Sequence, residues 1–403
     1  MLSNKIFRLS DAIEFFRIVA FCLVVFIVSR HFPLGDKSAI MNVMLLLFFA
    51  LGVTKISKAV VADKAVIFLI ILLSVHAIYS ITLGNDVSLV FRFYVILLLV
   101  VLAYYSEFCS KKLWNTVVWI YLLHSFIVIG IAITLAIVFG SSGSSVVRNY
   151  FLLNQHGDVY TFGNLFYRVQ IKGNALLPVM FMLCFHLWCS LRTKWYAFCC
   201  GVLFTATIFA GNFAFLIALT VFFMLYYLLQ ISTIRQLRRY MLSIIVGTVG
   251  FLLVGLNYVL STLEKKSGSA GSSLGLRQEQ LNLLLEDLNS SITDILIGKG
   301  LGNLLPYKTM FRDYTDAVYY ELQAVYILNQ TGFILFSLFS FFCVFLAFKR
   351  FGQNVFILIF LCYVMYAITN PYIFDTYHVL VVVLISSVAS MFRNNQFDLV
   401  KKY

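Results

Sequence analysis

The sequence has little charge and almost no proline. Charged residues make up 12% of its 403 residues, 62% are hydrophobic, and only four are prolines. A soluble domain carries about 25% charged residues, so this chain could not cover its surface in water. Composition therefore excludes an ordinary soluble protein. It predicts an all-α protein that crosses a membrane many times, because helices are the usual way to satisfy the backbone in lipid.

Several other familiar patterns are missing. The eight cysteines lie mostly inside apolar runs and show neither zinc spacing nor a disulfide framework. The chain has no Asp-x-Asp motif and no cluster of metal ligands, so we expect no metal and no cofactor. No cleavable signal peptide pattern is present, and the first apolar run is interpreted as a retained span. The net charge of +13 is spread over short loops, so we expect no nucleic-acid partner.

Apolar runs predict about twelve transmembrane helices in one integral membrane domain, residues 1–403. The runs lie near residues 13–29, 39–53, 65–83, 89–106, 116–139, 173–191, 195–210, 213–231, 240–260, 321–348, 353–369 and 377–392. Lysines and arginines occupy alternate short loops and both ends of the chain, which predicts cytoplasmic termini. Two long loops, 140–172 and 261–320, then lie on the outer side, and we expect short helices in them.

The first group of candidate residues is basic. Arg92 begins the fourth predicted span at its outer end, where it either reaches toward headgroups or forms an anion site. The first long loop holds Arg148 and then Arg168, Lys172 and Asn174 just before the sixth span. If this segment is helical, Arg168 and Lys172 share one face and suit a phosphate group. Solvent or anionic lipid is the alternative partner for these charges.

The second long loop is the richest polar segment. Its leucines recur at helical spacing over 277–289, which predicts an amphipathic helix along the outer surface. Arg277 stands at the predicted start of this helix, where free backbone N–H groups could join it in binding an anion. The glycine-rich stretch 298–302 contains Lys299 but lacks the spacing of a nucleotide-binding loop, so we interpret it as a tight turn. Arg312 is a further basic residue of this loop.

The loop ends on Tyr319, Tyr320 and Glu321, where the tenth predicted span begins. The carboxylate of Glu321 suits either a general base acting on a hydroxyl group or a partner that orients an arginine. The alternative is a glutamate favoured by the dipole at a helix start. The two tyrosines suit stacking on sugars, and they equally suit an aromatic belt at the membrane surface.

This layout resembles the O-antigen and capsule polysaccharide polymerases, the Wzy proteins, and their relatives the O-antigen ligases. Four stretches carry the resemblance: 91–93 around Arg92, 168–174, Arg277 with the turn 298–302, and Glu321 with Gly332 eleven residues later. In the ligases a histidine stands at the place of Glu321, so the glutamate favours a polymerase.

The resemblance implies a GT-C-like polymerase or ligase architecture in the bacterial inner membrane, with a periplasmic active face. It implies metal-independent transfer of a growing glycan from undecaprenyl diphosphate to an undecaprenyl-diphosphate-linked repeat unit. Arg277 and Glu321 would be catalytic. Substrate would contact Arg92, Arg148, Arg168, Lys172, Asn174, Lys299, Arg312, Tyr319 and Tyr320.

The implied partners are the undecaprenyl-diphosphate-linked oligosaccharide, membrane lipid and a separate chain-length regulator. An O-antigen ligase and a flippase or transporter of lipid-linked oligosaccharide are the alternatives. The predicted spans are nearly uncharged in their middles and the polar residues gather on one side, which favours an enzyme over a flippase.

Overall fold

A computed structural model describes residues 9–35, 37–140, 143–162, 166–230, 273–308, 313–316, 320–394 and 396–397. The chain forms two compact units. Unit 1 comprises Met1–Lys64, Leu102–Leu216 and Leu380–Tyr403. Unit 2 comprises Ala65–Val101 and Ile217–Val379. Each unit is thus assembled from segments far apart in the sequence.

The described residues are mostly helical. The helices before residue 231 are α1 (Leu9–Ser29), α2 (His31–Leu34), α3 (Ser38–Leu51), α4 (Val53–Val61), α5 (Lys64–Thr82), α6 (Val87–Ala103), α7 (Lys111–Phe139), α8 (Ser145–Leu153), α9 (Leu177–Leu191), α10 (Lys194–Ala210) and α11 (Phe213–Gln230). Those after residue 272 are α12 (Ser273–Leu288), α13 (Ile292–Ile297), α14 (Gln323–Phe351), α15 (Asn354–Ile368) and α16 (Thr376–Arg393). Strands β1 (Gly157–Phe162) and β2 (Phe166–Ile171) and a 3₁₀ turn (Asn174–Leu176) lie between α8 and α9.

Six of the described helices are long and apolar enough to cross a membrane, counting the turn Asn174–Leu176 with α9. They are α1, α5, α7, α9, α14 and α16. The pair α3 and α4, bent by 64°, would make a seventh span. The described part of the chain therefore belongs to a membrane-embedded protein, as the composition predicted.

The predicted count of twelve spans stays a prediction. Four further apolar helices, α6, α10, α11 and α15, have 10–17 residues in their apolar part. A helix rises about 1.5 Å per residue, so these fall short of a hydrocarbon core about 30 Å thick. The predicted run at 240–260 lies outside the described residues.

The first long loop contains a β-hairpin as well as a helix. Strands β1 and β2 pair antiparallel, with Tyr160 opposite Arg168 and Val159 opposite Val169. Aromatic and β-branched residues favour such a pleated pair, and Val159 and Val169 are buried. The condition under which Arg168 and Lys172 would share a helix face is not met, because Arg168 lies in β2 and Lys172 follows the strand as an exposed residue.

In unit 2 the glycine-rich turn 298–302 packs against a break in α14. Helix α14 loses its helical backbone at Gly332, where φ is 67° and ψ is 172°. The N–H of Lys299 donates to the carbonyl of Asn329 at 2.9 Å, and a Cβ placed on Gly298 would overlap the backbone of Gly332. A broken helix must find other partners for its backbone groups. The turn supplies them, which confirms the tight-turn interpretation.

This contact predicts that Gly298→Ala destabilises the protein. Gly298 has a φ of 91° and a ψ of 170°, a backbone region that is essentially limited to glycine and costs an L-residue about 1–3 kcal/mol. The added methyl group would also push the turn away from α14. We expect a lower midpoint of thermal unfolding in detergent.

The matched control is Gly130→Ala in the middle of α7, where a Cβ would meet no atom within 4 Å. Because alanine is the better helix former, that midpoint should stay the same or rise. Equal midpoints for the Gly298 variant and the unchanged protein would contradict the role given to the turn.

Candidate functional site

An ion pair joins Arg277 and Glu321 in unit 2. The Nε of Arg277 donates to Oε2 of Glu321 at 2.8 Å, and the two side chains are 32% and 33% exposed. Glu321 lies two residues before α14, so it has the contact predicted for a residue that orients an arginine. Arg277 does not begin its helix as predicted, because α12 already starts at Ser273.

Packing of α12 against α14 fixes this pair. Gln280, Leu284 and Leu288 recur at four-residue spacing on α12, and all three are buried. Oε1 of Gln280 accepts a hydrogen bond from the N–H of Leu322 at 3.1 Å. Leu322 directly follows Glu321, so this bond holds the backbone next to Glu321 against the first turns of α12.

Tyr320, predicted to stack on a sugar, is buried among other tyrosines. Its ring centroid lies 4.1 Å from that of Tyr326 and 5.7 Å from that of Tyr314, and all three side chains are fully buried. The hydroxyl of Tyr326 donates to the carbonyl of Asn303 at 2.6 Å. In the described arrangement Tyr320 therefore packs in the interior next to Glu321, and its ring is not accessible for stacking on a glycan.

Arg92 is exposed on α6 in the same unit. Its positive charge acts on the phenol of Tyr326 and on the carboxyl group of Asp375. Asp375 immediately precedes α16. Burial raises the pKa of this carboxyl group above its ordinary value, while the N–H of Thr376 and the charge of Arg92 act in the opposite direction. Sequence reasoning missed Asp375, although it is an acidic residue in a short connection otherwise rich in aromatic residues.

Lys299 is engaged within its own loop. Its Nζ lies 2.9 Å from Oδ2 of Asp294 and also bonds the hydroxyl of Ser290. Burial opposes ionisation of Asp294, but hydrogen bonds from Ser290, Lys299 and Ser291 outweigh it and lower the pKa of Asp294. The described contacts of Lys299 thus brace the turn, and its predicted contact with substrate stays a prediction. Arg312 and Tyr319 lie outside the described residues.

In unit 1, two arginines of the first loop share one tyrosine. Arg148 binds the carboxylate of Asp158 with two hydrogen bonds of 2.8 and 2.9 Å, and its guanidinium carbon lies 5.2 Å from the ring centroid of Tyr160. The guanidinium carbon of Arg168 lies 5.4 Å from the same centroid, and its Nη1 donates to the Tyr160 hydroxyl.

The surroundings of these arginines differ. Hydrogen bonding to Asp158 raises the pKa of Arg148, which is half exposed. Arg168 is buried at 8% exposure, and its aliphatic carbons pack so closely on Gly211 that a Cβ there would overlap them. Burial raises the pKa of Tyr160, and the carboxylate of Asp158 adds to this rise, whereas the two guanidinium groups lower it. Tyr160 is therefore neutral and serves as the common surface between two cations.

Asn174 has a structural position behind this hairpin. Its side-chain Nδ2 donates to the carbonyl of Val169 at 2.7 Å, and its Oδ1 pairs with Nε2 of His124 at 2.9 Å. Asn174 is buried at the start of the span that leads into α9, as predicted, whereas Lys172 is exposed. Contact of either residue with substrate stays a prediction.

The structure groups the predicted residues by unit. Unit 2 brings Arg277 and Glu321 together and also contains Arg92, whereas unit 1 brings Arg148 and Arg168 together on one ring. Contact of both groups with one substrate stays a prediction. Within the described ranges, no three His, Cys, Asp or Glu side chains are grouped so that they could hold a metal ion. The expected independence of metal stays a prediction as well.

Comparison with known proteins gives no match, either to a protein-family model or to a curated protein. The resemblance drawn from the motifs therefore stays an expectation.

The ion pair predicts a measurable coupling between Arg277 and Glu321. Pairs of this exposure contribute about 0.2–1 kcal/mol in double-mutant cycles. We expect the destabilisation of Arg277→Ala and Glu321→Ala, measured by denaturant unfolding in detergent, to be less than additive in the double variant.

The same cycle on Lys308 and Asp313 provides the comparison. This pair also lies at 2.8 Å in the second loop, but its side chains are 74% and 46% exposed, so its coupling should be smaller. Strictly additive effects at Arg277 and Glu321 would show that the two side chains do not hold one another in the membrane-embedded protein.

Proposed function

We propose that the chain is a surface-polysaccharide polymerase, a membrane glycosyltransferase. It transfers a growing glycan from undecaprenyl diphosphate to an undecaprenyl-diphosphate-linked repeat unit at the periplasmic face of the bacterial inner membrane. The observation that carries the proposal is the partly exposed Arg277–Glu321 pair beside the start of a long apolar helix. It combines a cation for the leaving group with a carboxylate for the acceptor.

The reaction requires a cation because the leaving diphosphate takes up negative charge. A sugar hydroxyl of the acceptor attacks the anomeric carbon of the donor, the bond from that carbon to the diphosphate oxygen breaks, and the diphosphate departs with the electron pair. An arginine presents several N–H donors in a fixed plane that suits phosphate oxygens. Arg277 supplies this group, and Arg92 adds a second positive charge in the same unit.

The acceptor hydroxyl must lose its proton as it attacks. Glu321 uses Oε2 for Arg277, and Oε1 has no hydrogen-bond donor among the described residues. That second oxygen is the acceptor for the hydroxyl proton. Because the N–H of Leu322 donates to Oε1 of Gln280 and holds the adjacent backbone, the carboxylate is presented from a fixed position rather than from a free loop.

The hairpin of unit 1 is a second basic element suited to phosphate. Arg148 and Arg168 gather on Tyr160. Asp158 balances one of the two charges, and the remaining positive charge favours an anionic ligand. We assign them to substrate binding, with Lys172, Asn174, Lys299, Arg312 and Tyr319 as further predicted contacts. A chain-length regulator is the expected protein partner, and both chain ends are expected in the cytoplasm.

The proposal predicts that Arg277→Ala and Glu321→Gln each abolish long glycan. Loss of a charge-stabilising group costs about 10²–10³ in rate, and loss of a general base about 10²–10⁴. Glycan ladders from a deletion strain complemented with each variant should lack polymer while the protein still reaches the membrane.

Lys308→Ala is the matched control, because Lys308 belongs to the same loop and to an exposed ion pair with Asp313. It should leave the ladder unchanged. The charge-reversed double variant, Arg277→Glu with Glu321→Arg, separates chemistry from folding, because it can rebuild an ion pair but moves both groups. Normal ladders from the two single variants would refute the assigned site.

A second measurement separates a polymerase from a transporter and a ligase. Purified protein given undecaprenyl-diphosphate-linked repeat units at the outer face of sealed vesicles should make polymer without nucleotide or divalent metal. Movement of the lipid-linked substrate between leaflets without polymer would establish a flippase. Transfer only to a lipid A-core acceptor would establish a ligase.

A further inference from the structure

Helix α8 in the first loop has three distinct sides. Phe151 is buried and stacks on Phe32, with ring centroids 5.0 Å apart and planes 17° apart. Arg148 faces strand β1 through Asp158. A third side bears Val146 and Leu153, which are 77% and 84% exposed. The first two sides attach the helix to unit 1. On the third side, Val146 and Leu153 stay largely exposed among the described residues, and the ring of Tyr150 touches His156 with centroids 5.9 Å apart.

The residues of the third side follow one another on the helix surface. Val146, Tyr150 and Leu153 are separated by four and three positions, so they lie in one stripe. Tyr150 is 52% exposed, and tyrosine has an apolar ring with a polar tip that suits the membrane–water boundary. An apolar stripe on one side and an arginine on another is the pattern of a helix that lies in a membrane surface.

The position of α8 in the chain identifies what covers the stripe. Helix α7 has 29 residues and passes the criteria for a membrane span. At about 1.5 Å per residue it is longer than a hydrocarbon core of about 30 Å, so its ends reach the interfacial region. Ile137 and Val138 in its last turn are 79% and 63% exposed, as befits residues that face lipid. Only residues 140–144 separate this turn from α8, and six steps of extended chain reach about 20 Å.

We propose that the side of α8 formed by Val146, Tyr150 and Leu153 is a membrane-docking surface that inserts into one leaflet beside the end of α7. The partner is lipid, with Val146 and Leu153 against acyl chains and Tyr150 at the headgroup level. The lipid-facing surface of α7 thus continues onto the first loop.

Docking of α8 would fix how deeply the β1–β2 hairpin sits relative to the membrane surface. Arg148 lies on a side of α8 away from Val146 and Tyr150 and holds Asp158 of β1 at 2.8 and 2.9 Å. A helix seated at the acyl boundary therefore carries Arg148 and Tyr160 at the level of lipid phosphates. The docking surface itself does not depend on the proposed polymerase activity.

Site-specific photocrosslinking tests the docking surface in the full chain. A benzophenone amino acid would be placed at Val146, at Leu153 and, as the control on another side of α8, at Ser145, in protein reconstituted into nanodiscs of defined phospholipid. After irradiation, mass spectrometry should find several-fold more lipid adduct at Val146 and Leu153 than at Ser145.

Other outcomes would overturn the proposal. Equally low lipid yields at the three positions would show that α8 is solvated, and equally high yields would show that no single side of α8 docks. Cross-links from Leu153 to protein would show that protein covers the stripe. A second measurement compares amide deuterium exchange of α8 in nanodiscs between two variants. Exchange should be faster in Leu153→Asp, which loses the docking contact, than in Ser145→Asp. Unchanged exchange in the Leu153 variant would also reject docking. Glycan polymerisation is measured separately, so failure of the enzyme assignment would leave this result interpretable.

Discussion

Backbone hydrogen bonds between the turn 298–302 and the broken helix α14 are the constraint on which the candidate site depends. Lipid offers no partners for free backbone groups, so a break inside an apolar helix must be repaired by protein. The N–H groups of Lys299 and Gly300 bond the carbonyls of Asn329 and Gln330, each at 2.9 Å. These bonds hold the short first segment of α14, between Gln323 and the break at Gly332, and that segment begins two residues after Glu321 in the chain.

The same region ties α12 to α14. Nδ2 of Asn329 donates to the carbonyl of Leu284 and to Oδ2 of Asp287. Asn329 therefore uses its backbone for the turn and its side chain for the helix that bears Arg277. A fully buried asparagine needs such partners. The positions of Arg277 and Glu321 thus follow from a polar network that lies at the break and not from the ion pair alone.

Much of the helical architecture could be predicted because long apolar segments have few alternatives to a helix in lipid. The turn 298–302 was predictable because closely spaced glycines accommodate positive φ angles. The hairpin was missed because its strands have only six residues, and the pairing of Arg168 with Tyr160 is set across strands. Burial of Tyr320 and the neighbourhood of Asp375 depend on packing between distant segments, which local sequence patterns do not contain.

The Arg277–Glu321 ion pair stands out in a chain with few acidic residues. The chain has 17 acidic and 30 basic residues. Carboxylates are therefore too few to pair with every lysine and arginine, and among the described residues Glu321 is one of the few that do pair with an arginine. A diphosphate carries more negative charge than one glutamate and would compete with Glu321 for the guanidinium group. Under the proposed function, donor binding would therefore release Glu321 from its partner as the acceptor arrives. The ion pair is then the resting form of the site, and the donor itself would prepare the base.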